Sequence, residues 1–188
     1  MKNVLLKSTV FLFAVILTGF TALDKKPVNT EKSVINWIGY KVTGQHEGTI
    51  SLREGALEFD KKQLTGGSFV MDMTSINTTD LEGDYKNKLD GHLKANDFFG
   101  VEKHPKATLV FTSVTKNETN YSVVGDLTIK GITNKIAFDL EISGNTATTS
   151  LKVDRTKYGI KYGSASFFDD LKDKAIYDEF DLKVSLKF

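Results

Sequence analysis

From Val34 to Phe188 the chain alternates apolar and polar residues in one short segment after another, the period of two that marks a half-buried β-strand. In "FVMDM" Phe69, Met71 and Met73 share a face with Asp72 opposite, and "YSVVGDLTIK" aligns Tyr121, Val123, Leu127 and Ile129. "KIAFDLEIS" aligns Ile136, Phe138, Leu140 and Ile142, and "EFDLKVSLKF" aligns Phe180, Leu182, Val184, Leu186 and Phe188. Shorter candidates are "VINWIGYKV", "GTISLRE", "ALEFD", "ATLVFTSV" and "TSLKVD", which makes eight or nine strands. Turn signals at "REG", "DKKQLTGG", "TKNETN" and "SGNT" are short enough for hairpins, so neighbours should pair antiparallel. An antiparallel meander of this size must close or split into two sheets, because open edges invite aggregation. The pattern therefore predicts an all-β fold closed into a barrel.

One segment breaks the alternation. Between Thr79 and Asn96, Leu81, Tyr85, Leu89 and Leu93 recur every four residues, which predicts a helix with one apolar stripe and Thr79 or Asp80 as N-cap. Gly83 and Gly91 weaken it by about 1 kcal/mol each relative to Ala, so it should depend on packing against the barrel. A second helical turn is expected at "FFDDLKDKAI". Two adjacent phenylalanine pairs, Phe98–Phe99 and Phe167–Phe168, lie beside these two elements. Neighbouring side chains diverge in strand and helix alike. If the two elements cover a barrel opening, one ring of each pair points inward and the other packs beneath the cover.

The N-terminus reads differently. Lys2 and Lys7 flank "NVLL", an apolar run "VFLFAVILTGF" follows, and small residues stand near Ala22, which predicts a signal peptide over residues 1–22. An uncleaved anchor is the alternative, since the run approaches the lower limit for a span. A polar segment, 23–32, would then precede one barrel domain over 33–188. The chain has no cysteine, hence neither a disulfide framework nor a lipid-attachment thiol. The expected address is periplasmic or secreted, with no stable membrane insertion after cleavage. The 25 basic residues less Lys2 and Lys7 leave 23 against 24 acidic ones, a net charge of −1 that favours no nucleic acid partner.

The motifs of the common enzymes are missing: no G-x-S-x-G, H-E-x-x-H, G-x-x-x-x-G-K-[ST] or G-x-G-x-x-G occurs. His46, His92 and His104 stand at no ligand spacing, and the acidic run from Asp169 to Glu179 lacks the pattern of a calcium loop, so no metal is expected. Arg155 could brace the barrel rim through a carboxylate or hold a ligand's polar end. Lys41 shares the parity of Ile35 and Trp37, so it should face inward if they do. Thirteen phenylalanines, six tyrosines and Trp37 could fill a barrel completely. Against that, Met71 and Met73 suit an adaptable apolar wall, and the small residues Gly39, Ala107 and Gly125 at inward parity leave room.

The stretches "INWIGYKVTGQHEGTI", "GGSFVMDMTSI", "LDGHLKANDFFGVEKHPKATLVF", "VVGDLTIKGITNKIAFDLEI" and "VDRTKYGIKYGS" resemble the YceI-like family of polyisoprenoid-binding, lipocalin-like barrel proteins. The resemblance runs from about Ile35 to Phe188 in the family's order, and departs from it at Gly100 and through "SFFDDLKDKAIYDE". It implies an eight-stranded antiparallel lipocalin-like β-barrel with one or two short capping helices. It also implies an apolar tunnel for a long isoprenoid such as a polyprenyl chain or quinone tail. The candidate ligand-contacting residues are Trp37, Lys41, Phe69, Met71, Met73, Phe98, Phe99, Leu127, Ile129, Phe138, Leu140, Arg155, Tyr158, Phe167 and Phe168. The expected role is an envelope carrier or storage protein that is not an enzyme and holds no cofactor beyond the lipid. Two alternatives are an enzyme acting on such a lipid and a stress-related structural protein without ligand. A homodimer stays open. N-terminal sequencing of protein from its native host should begin between about Ala22 and Lys26, and recovery of intact Met1 in the membrane fraction would refute cleavage.

Overall fold

The computed structural model describes residues 23–188, so the expected signal peptide lies outside the described residues. Nine strands and one α-helix follow in order: β1 (Asp24–Pro27), β2 (Asn29–Lys41), β3 (Gly44–Asp60), β4 (Gln63–Thr78), α1 (Gly83–Lys94), β5 (Lys106–Lys116), β6 (Tyr121–Ile129), β7 (Ile132–Ser143), β8 (Thr146–Asp154) and β9 (Ile176–Lys187). Strands β2 to β9 close an eight-stranded antiparallel barrel in the ring order β3-β2-β9-β8-β7-β6-β5-β4, with β4 returning to β3. β1 pairs with the far end of β3, Asp24 opposite Phe59 and Pro27 opposite Ala56, on the edge that β2 uses nearer the start of β3. The polar segment 23–32 is thus built into the wall.

The hairpins form where left-handed backbone is available. Between β6 and β7 the two turn residues Lys130 and Gly131 have φ of 53° and 77°, as a two-residue turn matched to strand twist requires. "REG" is not a turn. Its residues continue through β3 as a bulge between Leu52 and Glu54, which joins the two expected short strands into one of 17 residues. At Gly48 an added Cβ would lie 2.1 Å from the Asn77 carbonyl oxygen and 2.5 Å from the Trp37 ring, so only glycine lets β4 cross so close to β3.

The helix departs from its expected stripe. Leu81 precedes it, Tyr85 is 76% exposed, and the capping position is Glu82, whose side chain makes no capping bond. Thr79 and Asp80 serve β3 instead: Asp80 accepts from the Glu47 amide at 3.1 Å and meets His46 Nδ1 at 2.8 Å. What ties α1 to the barrel is polar. Asp90 accepts from the amide and hydroxyl of buried Thr78 at 2.8 and 2.7 Å, and Lys86 Nζ donates to Asp90, to Asn77 and to the Thr78 carbonyl. Only the end of the stripe, Leu93, packs inward. After β8 a 3-10 turn, Arg155–Tyr158, leads into an irregular stretch in which the expected second helix is reduced to a 3-10 turn over Lys172–Lys174.

The core has two parts, one around Leu57, Leu64, Leu140 and Leu186, the other at the α1 end around Phe98, Ile129, Val153 and Ile160. Six partly buried residues, Ile50, Met71, Leu109, Ile136, Leu151 and Leu182, pack against both parts and so mark the waist of the barrel.

The clasp on α1 makes a pH-dependent prediction. Burial pushes the Asp90 carboxyl up, but hydrogen bonds from Thr78 and Lys86 outweigh it and hold the pKa below the ordinary 3.8. A carboxyl depressed on folding stabilises above its unfolded pKa, and the contribution is lost as pH falls through the lower folded value. Asp90→Ala should leave the buried Thr78 donors unpaired at a cost of about 2 kcal/mol at neutral pH. Urea unfolding should show that gap between variant and parent at pH 7 and see it shrink below about pH 4. A gap that is constant with pH would refute the clasp.

Candidate functional site: an apolar bore through the barrel

Inside the ring lies a bore of about 170 Å³, open at one end. Along β9 the wall runs from Ile176 to Leu186, about 33 Å of strand. At the tilt usual for such barrels this is roughly 25 Å along the axis. The inward faces of all eight barrel strands contribute, and nearly all the lining side chains are apolar. Exposed Tyr177 and Glu179, with half-buried Tyr40, mark the open end.

Most of the expected residues come together on this wall: Trp37, Phe69, Met71 and Met73, then Phe98 and Phe99, then Leu127, Ile129, Phe138 and Leu140, and Arg155. Period-2 parity put the strand residues there, whereas Phe98 and Phe99 come from the loop after α1 and Arg155 from the 3-10 turn after β8. Both rings of the first phenylalanine pair reach the bore, so the division of one inward and one covered ring is incomplete. Phe98, 6% exposed, sits edge-on to His92 of α1 with centroids 5.4 Å apart, while half-buried Phe99 faces Phe180 at 6.4 Å. The loop carrying them is pinned by Lys130, whose ammonium donates to the carbonyls of Asn96 and Phe98 at 2.7 and 2.8 Å.

Four expected residues do not line it. Lys41 misses because the β2–β9 register shifts between Gly39 and Lys41, which breaks the parity that would have turned it inward. Tyr158 is buried in the core behind the wall; burial, then the Asp154 charge, push its phenol up to about 12, and its hydroxyl has no hydrogen-bond partner. Phe167 and Phe168 are 46% and 50% exposed, because the chain turns at Ser164, whose carbonyl accepts from both their amides, and carries the rings outward. Lys161 lies 4.4 Å over the Phe167 ring on that outer surface. Gly125 leaves no space either, since its missing Cβ would meet Leu109 at 2.9 Å. Ile136, Phe180 and Leu182 belong to the wall and were legible from the same alternation. Thr149 and Glu179, the polar members on β8 and β9, carried no signal in the sequence.

Arg155 braces the end of the bore. Only 2% exposed, it donates from Nε to the Tyr177 carbonyl at 3.0 Å, from Nη1 to Ile160 at 2.8 Å and from Nη2 to Ile176 at 3.0 Å. Asp178 lies 3.7 Å from Nη2, and the Phe98 ring lies 5.6 Å from the guanidinium carbon. Burial pulls the guanidinium pKa down, and the carboxylates of Asp178 and Asp154 act in the opposite sense. Arg155→Met should cost roughly 3–5 kcal/mol, because it strands three carbonyls and Asp178 together. Arg155→Lys should recover little of it, since one ammonium cannot reach three divergent acceptors. Thermal unfolding of both variants checks this, and a loss below about 1 kcal/mol in Arg155→Met would refute the brace.

A family model described as the YceI-like domain matches residues 27–188. A UPF0312 protein of Staphylococcus epidermidis is 32% identical over 141 residues, covering 68% of this chain and 77% of that protein. A UPF0312 protein of Staphylococcus aureus is 40% identical over 104 residues, covering 49% of this chain and 54% of that protein, so the chain spans about half the length of that relative. Among solved structures, BcnA of Burkholderia cenocepacia matches with a TM-score of 0.68 at 21% identity over 85% of this chain and 98% of its own. A polyisoprenoid binding domain from Saccharophagus degradans, implicated in plant cell wall breakdown, matches with a TM-score of 0.61 at 13% identity over 88% and 97%. At those identities the likeness is one of fold. With a family model covering nearly all the described residues and an eight-stranded barrel of the same architecture, the chain belongs to the YceI-like domain family.

Proposed function

We propose that this protein binds a long-chain isoprenoid lipid, polyprenyl or quinone-like, in the bore and serves as an envelope carrier or storage protein. The observation that carries the reading is the apolar lining: Ile50, Met71, Leu109, Ile136, Leu151 and Leu182, which link the two halves of the core, all face the bore. A narrow apolar channel of roughly 25 Å suits a flexible chain better than a compact ligand. The Saccharophagus degradans neighbour, described as a polyisoprenoid binding domain, supports the same ligand class. Binding is favoured over turnover because Arg155, the one cation on the wall among the described residues, is committed to backbone carbonyls.

Mass spectrometry of organic extracts from protein purified out of its native envelope should find an isoprenoid, and incubation of that lipid with pure protein should return it unchanged. An empty extract points to a structural role, and a modified lipid to an enzyme. The adjacent rings provide a second test. Phe99→Ala should lower lipid retention with a stability loss of about 1 kcal/mol, whereas Phe98→Ala should cost roughly 3 kcal/mol as a buried ring. If both variants only destabilise, with bound lipid unchanged per folded molecule, the rings belong to an ordinary core.

A further inference from the structure

We infer that the mouth of the bore selects a lipid whose polar end is uncharged, such as an alcohol or a quinone, and discriminates against a diphosphate; this rests on reading the bore as an isoprenoid site. A diphosphate entering the mouth carries more than one negative charge and needs free cations or amide donors to replace its water. Four cations around the α1 end are committed elsewhere. Arg155 is held by three carbonyls and Asp178, Lys130 by two carbonyls, and Lys86 by Asp90, Asn77 and Thr78. Lys152 is paired with Asp181 at 2.8 Å. Lys41 stands at the rim opposite Ile176, but off the wall, and the same rim carries Asp178, Glu179 and Asp181.

Two further features set the sign of the field. Glu179 is on the wall of the opening, the one carboxylate there among the described residues. Helix α1 brings its C-terminal turn to the bore through Leu93, so the partially negative end of its dipole lies nearest the ligand. A neutral polar end needs no such counter-charge. The Tyr40 hydroxyl is already committed to Asp181 at 2.7 Å, so it offers an anion no donor.

Trp37, the only tryptophan of the chain, lines the bore and reports occupancy by its fluorescence. Titration with geranylgeraniol and with geranylgeranyl diphosphate, at low ionic strength, should give an affinity for the alcohol at least about tenfold higher. Glu179→Lys, a change at an exposed side chain, should shrink that ratio by about tenfold. Added salt should narrow the wild-type ratio as the repulsion is screened. Equal affinities, tighter binding of the diphosphate, or a ratio that Glu179→Lys leaves unchanged would overturn the selectivity while leaving lipid binding intact. Binding of neither probe would remove the lipid reading itself, and the inference with it.

Discussion

A buried guanidinium holds one end of this barrel together. β8 and β9 are neighbours in the ring, yet about twenty residues with only two 3-10 turns separate them. A segment of that length orders only if something fixes its ends. Arg155 does so at the first residue beyond β8, gathering the carbonyls of Ile160, Ile176 and Tyr177 around one planar group. Because Phe98 rests on the same guanidinium, and Lys130 pins the loop that carries Phe98, the α1 end of the bore is built on that contact. The lining that makes a site here depends on a residue spent on architecture.

The fold was legible because a period of two fixes which side chains look inward, and inward residues of a closed sheet must share one interior. Phe69, Met71, Leu127 and Phe138 were placed by parity alone. Parity fails where the backbone slips. The register shift after Gly39 turned Lys41 off the wall, and the bulge beyond Leu52 let "REG" run on as strand. Local propensity also failed where tertiary polar contacts decided the outcome. The helix has four-residue spacing of apolar side chains, but it is anchored through Asp90 and Thr78, a bond between residues that no sequence period connects. Phe167 and Phe168 looked like a second copy of Phe98 and Phe99, yet the turn at Ser164 carries their rings outward.

The resemblance carried by "DFFGVEKHPKA" and "GDLTIKGITNKI" has a structural explanation. The first supplies the two rings at the bore, and the second contains the Lys130–Gly131 turn whose lysine reaches back to the first. Segments distant in sequence are thus one unit in space, and this unit forms the wall between α1 and the bore. The polar members of the opening, Tyr40, Tyr177 and Glu179, lie outside those stretches.

The ring is continuous, but its hydrogen bonding is not. β7 and β8 pair over only three residues, Glu141 to Ser143, at the end away from α1, and β4 and β5 pair over only five, Ser68 to Asp72. Below the β7–β8 ladder the Thr149 hydroxyl bonds the Asp139 carbonyl at 2.6 Å, a lone stitch where a strand pair would have several. These two short seams divide the cylinder into a shell of three strands, β5 to β7, and a shell of five. Within each shell the ladders are longer, six residues along β2–β3 and eight or more elsewhere. The girth of the bore is thus set by how two laddered shells stand to one another across those seams, and not by any single strand.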